Sequence, residues 1–274
     1  MNASGDDIAM LDGAIAPDSI EVQLGGGSVA AYTARSPDKE TENEDTVAAI
    51  PYGHDAVVLA VADGVGGLPA GRRASRTAVT KLARTLHAAL TESMLLRTAI
   101  LDGIEAANLA VLDIGNGAAT TLTVVTIEGL VARTYQVGDS EAVIVGQRGR
   151  IKSQTMVHSP TGFAVEAGFL GKREALHHEE RHLVSNFIGT NDMRIDIGAE
   201  VKLRPRDTVL LASDGLTDNI HINDIINIIR KGPLDKAVES ITRLARHRMT
   251  NESKLQPSKP DDLSVILFRK PHRR

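Results

Sequence analysis

Apolar and polar positions alternate in two rhythms along this chain. From Ile20 to Thr33 a broken apolar pattern with GGG inside predicts a strand or bent hairpin. TVAAI (46–50) and AVVLAVA (56–62) then read as two strands around a PYGHD turn. After a glycine-rich stretch the period lengthens. Ala78, Val79, Leu82, Leu86 and Leu90 recur at helical spacing, followed by Leu96, Ile100, Ile104, Ala107 and Val111. Two successive amphipathic helices predict an antiparallel pair laid on a sheet. TLTVVTIE, LVARTYQV, EAVIVGQ and RIKSQ return to strand spacing with short turns, as does DTVLLAS. NDIINIIRK and LDKAVESITRLARHRM read as helices, and SVILFRK closes as a strand. Residues 156–190 are rich in His and Gly and show no clear period.

Strands, two helices, strands, two helices and a strand is not the βαβ alternation of a parallel sheet, so an α+β fold is expected. Two stacked antiparallel sheets flanked by helix pairs, a four-layer αββα sandwich, would cover every apolar face. Residues 1–19 read as a flexible N-terminal arm and 20–270 as a single domain.

Composition narrows the function. The 274 residues are 42% apolar but only 3% aromatic, so base stacking is a poor expectation. A net charge of −4 gives no reason to expect nucleic acid or an anionic membrane. The absence of cysteine excludes disulfides, thiolate catalysis and cysteine zinc sites. The N-terminus lacks the pattern of a signal peptide, and no apolar run is long enough to span a bilayer. A cytoplasmic monomer is the expectation.

The candidate chemistry lies in acids at strand ends. VLAVA runs into Asp63-Gly64, VLLAS into Asp214-Gly215, and TYQV through Gly138 into Asp139. Asp261 and Asp262 precede SVILF, and Glu44 and Asp45 precede a strand. An acid ending one strand and an acid starting its antiparallel neighbour share a sheet edge. Two unit charges 4 Å apart repel by about 4 kcal/mol at an effective dielectric near 20, so such a cluster shifts its pKa values or recruits a cation. Oxygen donors without Cys suit Mg²⁺ or Mn²⁺ better than Zn²⁺, and glycine beside Asp63 leaves the Gly64 carbonyl open as a further ligand. The competing reading is structural, since Asp-Gly after a strand is also a common turn. GVGGLPAG lacks the GKS or GKT ending of a phosphate-binding loop. His54, His158, His177 and His178 are expected at the surface or in hydrogen bonds rather than on a metal.

NED (43–45), ADGVGGLPAG (62–71), ATTL (119–122), VGDSEA (137–142), LLASDGLTD (210–218) and DDLSVIL (261–267) occur in this order. Together they resemble the bacterial-type metal-dependent protein phosphatases of the type 2C family, whose fold is a β-sandwich flanked by helix pairs. The resemblance implies a serine/threonine protein phosphatase acting on a phosphorylated protein, with two Mn²⁺ or Mg²⁺ ions, a third at times, and an activated water in place of a phosphoenzyme. It implies that Asp63 bridges the two ions, that the Gly64 carbonyl joins one, and that Asp214 and Asp261 complete the other. Glu44 would serve the second ion and Asp45 would support it. Asp139 would help hold a third metal, and Asp218 would lie behind the ligands.

Val65 stands where many eukaryotic members have His. Glu40 stands where members usually have a phosphate-binding Arg, which leaves Lys39 or Arg35 as substitutes. Residues 156–190 occupy the place of the family's flap beside the site. Two other functions are weighed against the phosphatase, a partner-binding pseudophosphatase and a small-molecule phosphoesterase.

Overall fold

The computed structural model describes residues 8–13, 15–65, 70–175, 178–251, 253 and 256–271, with the backbone alone at 172, 173, 181 and 182. Strands β1 (Ala9–Leu11), β2 (Asp18–Leu24), β3 (Gly27–Ala34), β4 (Asp45–Tyr52) and β5 (Ala56–Val65) lead into helices α1 (Ala70–Thr91) and α2 (Leu96–Leu112). Strands β6 (Ala119–Thr120), β7 (Leu122–Glu128), β8 (Val131–Val137), β9 (Glu141–Val145) and β10 (Ile151–Gln154) follow. Then come short helices α3 (Pro160–Glu166) and α4 (Lys172–Ala175), a 3-10 turn at Glu179–His182, and strands β11 (Asp196–Ile197), β12 (Val201–Lys202) and β13 (Thr208–Ala212). Helices α5 (Asp214–Thr217), α6 (Ile222–Ile229) and α7 (Leu234–Thr250) precede β14 (Leu263–Arg269).

One sheet runs β1-β4-β5-β7-β8-β11, with β12 on β8 and β6 on β5; the other runs β10-β9-β13-β14-β3-β2. All pairings are antiparallel. Strand β5 shows how sequence dictates the layering. Its apolar run is buried on both faces, as expected of a strand covered on two sides. Val58, Ala60 and Ala62 pack beneath α1 and α2 with Leu82, Leu86, Ile100 and Ile104. Val57, Leu59 and Val61 face the second sheet, against Ile144, Leu211, Ile266 and Phe268. On the far side of that sheet, Val265 and Leu267 meet Ile225, Ile229, Val238 and Ile241 of α6 and α7. The four-layer αββα sandwich is therefore the fold. Each fully buried Leu, Ile or Val in these three clusters contributes about 1.5–3 kcal/mol.

Several elements differ from the sequence expectation. Part of the expected N-terminal arm is strand, with Ala9–Leu11 paired to Val47–Ala49 and Asp18–Ser19 to Tyr32–Thr33. Leu90, placed on the apolar stripe of α1, is 39% exposed, and Ala89 takes the buried position at that end of the helix. Residues 156–190 are not uniformly irregular; Ser159 caps α3 by accepting from the Gly162 N–H, with Pro160 at the first helical position. No helix among the described residues is long and apolar enough to cross a membrane.

Candidate metal centre

The topology carries the acids to one end of the sandwich. Asp45 opens β4 directly opposite Asp63 on β5. Strand β7 begins beside the end of β5 and pairs with β8, so Val137, Gly138 and Asp139 emerge at that same end. In the second sheet β13 ends where β14 begins, with Ala212 opposite Val265. Asp214 and Asp261 therefore leave neighbouring strands together. Strand β5 continues to Val65, two residues beyond the expected tip, and Gly64 and Val65 pair with β6.

Hydrogen bonds stitch the two sheets at this edge. The Ser213 hydroxyl donates to Asp45 Oδ2 at 2.8 Å across the interface and accepts from the Ser264 N–H. Asn43 is fully buried; its amide donates to Thr33 Oγ1 at 2.7 Å and its carbonyl accepts from the Asp45 N–H. Around Asp63, Thr121 Oγ1 accepts from the Asp63 N–H at 3.0 Å, while the Thr120 hydroxyl and the Thr121 N–H donate to the Asp63 carbonyl. Gly138 adopts φ +105° with its α-carbon pressed against Thr121, a conformation and a space that together favour glycine. Its N–H donates to His158 Nδ1 at 3.1 Å.

The acids feel one another. Asp63 is held well above the ordinary carboxylate range by desolvation and by the charges of Asp45, Asp214, Asp261 and Asp139. Asp45 is raised by burial and then by Asp262, and Asp139 by burial and then by Asp214. Asp261 is pushed up to about 7 by burial and the neighbouring Asp214. Strongly perturbed acids at one cleft edge mark a functional site more often than chance.

Two lysines lie among them. Lys39 Nζ is 2.6 Å from both Glu44 Oε2 and Asp262 Oδ2. Lys259 Nζ is 2.5 Å from Asp214 Oδ2, 3.0 Å from Asp218 Oδ2 and 3.1 Å from Asp261 Oδ2. Asp262 also accepts from the N–H groups of Ser36 and Glu44, which fastens the 36–44 loop to the start of β14. Arg35 is not brought to the acids; its guanidinium donates to the Glu40 and Thr41 carbonyls.

The donor set fits divalent cations of the Mg²⁺ type. It is all oxygen, the acids crowd one edge, and Asp214 Oδ1 is buried without a hydrogen-bond partner. Backbone access is also provided. A β-carbon on Gly64 would strike the Gly71 carbonyl, and one on Gly71 would strike Glu44 Oε1, so both positions must be bare. Among the described residues, however, no three side chains converge on a common point at ligating distance. Oxygens of Glu44 and Asp262 turn toward Lys39, and those of Asp214, Asp218 and Asp261 toward Lys259.

The histidines are accounted for otherwise. His158 accepts at Nδ1 from Gly138 and Asn186, which leaves its Nε2–H to donate to Asp196 at 3.0 Å. His54 is exposed in a turn, and exposed His178 accepts from the Glu180 N–H. His177 and residues 66–69 of the glycine-rich stretch lie outside the described residues. Next to Asp139 and Asp214, a cavity of about 610 Å³ opens between α3 and α6, walled by Val157, Thr161, Val165 and Ile222. Sequence reasoning missed Ser213, Asn43 and Lys259 as parts of the site; the positions of Ser213 beside Asp214 and of Lys259 two residues before Asp261 were the available signals.

Comparison with known proteins agrees with this geometry. The protein phosphatase 2C family model matches residues 35–257. A putative protein phosphatase 2C-type of Streptococcus pyogenes is 30% identical over 218 residues, covering 77% of this chain and 88% of the relative. Protein phosphatase PhpP of Streptococcus pneumoniae is 30% identical over 76% of this chain and 87% of its own length. Among solved structures, the S. agalactiae serine/threonine phosphatase superposes with a TM-score of 0.74 at 26% identity, over 92% of this chain and 99% of that one. The catalytic domain of PstP in complex with two manganese ions shares the fold, with a TM-score of 0.70 at 23% identity, over 88% of this chain and 96% of that one. The chain belongs to the protein phosphatase 2C family.

Proposed function

We propose that this protein is a Mn²⁺- or Mg²⁺-dependent phosphatase that removes phosphate from phosphoserine and phosphothreonine in protein substrates. The carrying observation is that Asp45, Asp63, Asp139, Asp214 and Asp261, drawn from both sheets, gather at one end of the sandwich, where the charges of the other four, after burial, raise the Asp63 carboxyl. The family's two-manganese relative supports the metal identity.

Asp63 and the Gly64 carbonyl would hold one ion with Glu44, and Asp63, Asp214 and Asp261 the other. Asp139 would help hold a third, and Asp218 would lie behind the ligands. When bound, such ions supply an acidified water and neutralise charge on the phosphoryl group. The chain's own residues set up that chemistry. Ser213 fixes the Asp45 carboxylate behind Asp63, and Thr120 and Thr121 pin the Asp63 backbone, so these two acids are held in place. Lys39 brings positive charge to the edge where Glu40 replaces the family's arginine, although Glu44 and Asp262 already engage it. The cavity beside the 156–190 segment would accept residues flanking the phosphorylated side chain.

A phosphopeptide assay with Mn²⁺, repeated in excess EDTA and with p-nitrophenyl phosphate, tests this reading. Mn²⁺-dependent phosphate release, abolished by EDTA and by Asp63→Asn or Asp214→Asn, is expected. Full activity in EDTA would overturn it. Turnover of small phosphoesters without phosphopeptides would replace the protein substrate, and no detectable Mn²⁺ binding by calorimetry would leave a partner-binding module.

A further inference from the structure

Lys259 lies in the loop between α7 and β14, and its backbone is fixed at two points by one fully buried side chain. The Lys259 N–H donates to Asn219 Oδ1 at 2.8 Å, and Asn219 Nδ2 donates to the Lys259 carbonyl at 2.8 Å. The side chain is 21% exposed, so it is no surface lysine that happens to fall near an acid. Its ammonium meets one oxygen each from Asp214, Asp218 and Asp261 within 3.1 Å. The contact to Asp214 Oδ2 is a hydrogen bond, and the other two are ion-pair contacts. The second oxygen of Asp214 is left without a hydrogen-bond partner.

We propose that Lys259 is a resident cation that competes with a divalent ion for Asp214 and Asp261. In the metal-free protein the ammonium balances carboxylates that would otherwise repel, and metal must displace it to complete its own shell. Lys259 thereby stabilises the metal-free fold and weakens affinity at that ion's position. The inference rests on the reading of Asp214 and Asp261 as metal ligands.

The test is Mn²⁺ titration followed by the electron paramagnetic resonance of free ion, for wild type, Lys259→Met and the control Lys236→Met on exposed α7. Lys259→Met is expected to bind its ions at least about tenfold more tightly at one position, with a lower melting temperature when metal-free and a larger rise on adding metal. An affinity gain no greater than that of the control would overturn the role of Lys259 while leaving the metal centre intact. No Mn²⁺ binding in any of the three proteins would overturn both.

A second measurement needs no variant. Reductive methylation of wild type, read by peptide mass spectrometry, should modify Lys259 more readily when Mg²⁺ is present. Unchanged or reduced labelling of Lys259 under saturating Mg²⁺ would equally reject displacement.

Discussion

Asp45 and Asp63 stand directly opposite one another on β4 and β5, so both carboxylates project from the same face of the sheet. Like charges placed opposite across a strand pair destabilise it. Asp63→Asn keeps the shape and removes that repulsion. It is therefore expected to raise the melting temperature of the metal-free protein by a few degrees, roughly 2–4 °C per kcal/mol relieved. Phosphatase activity should fall by at least about 10²-fold. Scanning calorimetry in chelator and a Mn²⁺-supported assay check the two halves.

Ser213 joins the sheets through Asp45. Ser213→Ala leaves the Asp45 carboxylate without that donor and the Ser264 N–H without its acceptor. A loss of roughly 1–3 kcal/mol is expected, the usual cost of stranding a buried polar partner. Urea unfolding should show it, and Mn²⁺ affinity should drop with it. Ser213→Thr, which retains the hydroxyl, should recover part of both.

Gly64 has no room for a side chain. Gly64→Ala drives a methyl into the Gly71 carbonyl and the Glu44 carbonyl. Overpacking of this kind costs about 1–3 kcal/mol. The strain should displace the start of α1 and Glu44 together, so Mn²⁺ binding by calorimetry should weaken more than stability alone explains.

The metal-free protein should lose stability as the medium becomes more alkaline. Asp261 has a folded pKa of about 7, above the ordinary carboxylate value of 3.8. Asp45, Asp63 and Asp139 shift the same way. A raised folded pKa means that the native chain binds more protons than the unfolded chain between the two values. The stability it contributes is complete below the unfolded pKa and is lost as pH rises through about 7. Melting temperature in chelator should decline from about pH 5 to 8. Saturating Mg²⁺ should flatten the slope by keeping these acids ionised.

Lys39 and Arg35 separate the two candidate phosphate contacts. Lys39→Ala removes a charge 2.6 Å from Glu44 and should raise KM for phosphopeptide more than it lowers kcat. Arg35→Ala loosens the 36–44 loop through the Glu40 and Thr41 carbonyls and should leave KM nearly unchanged. Steady-state kinetics on one phosphopeptide distinguishes them.

The main elements and the acids could be read from the chain because both are local signals. Six apolar residues ending at Asp63 describe a strand buried on both faces, and that strand is β5. Asp214 and Asp261 were legible for the same reason. The partners of these acids were not. Ser213 reaches Asp45 across 168 positions, and Lys259 reaches Asp214 across 45, so no window of sequence holds both ends of either contact. Strands β1, β11 and β12 are only two or three residues long, too short to show a period. Helix α3 left a trace in Ser159-Pro160, a cap followed by a helix-starting proline, within a segment whose glycines obscure it.

The seam between Ser213 and Asp45 has a consequence for biogenesis. Each sheet delivers only part of the acidic constellation, so a chain in which either layer has formed alone presents an incomplete set of charges. On the proposed reading, ion capture would wait until both layers have docked, which would make it a coincidence detector for finished assembly.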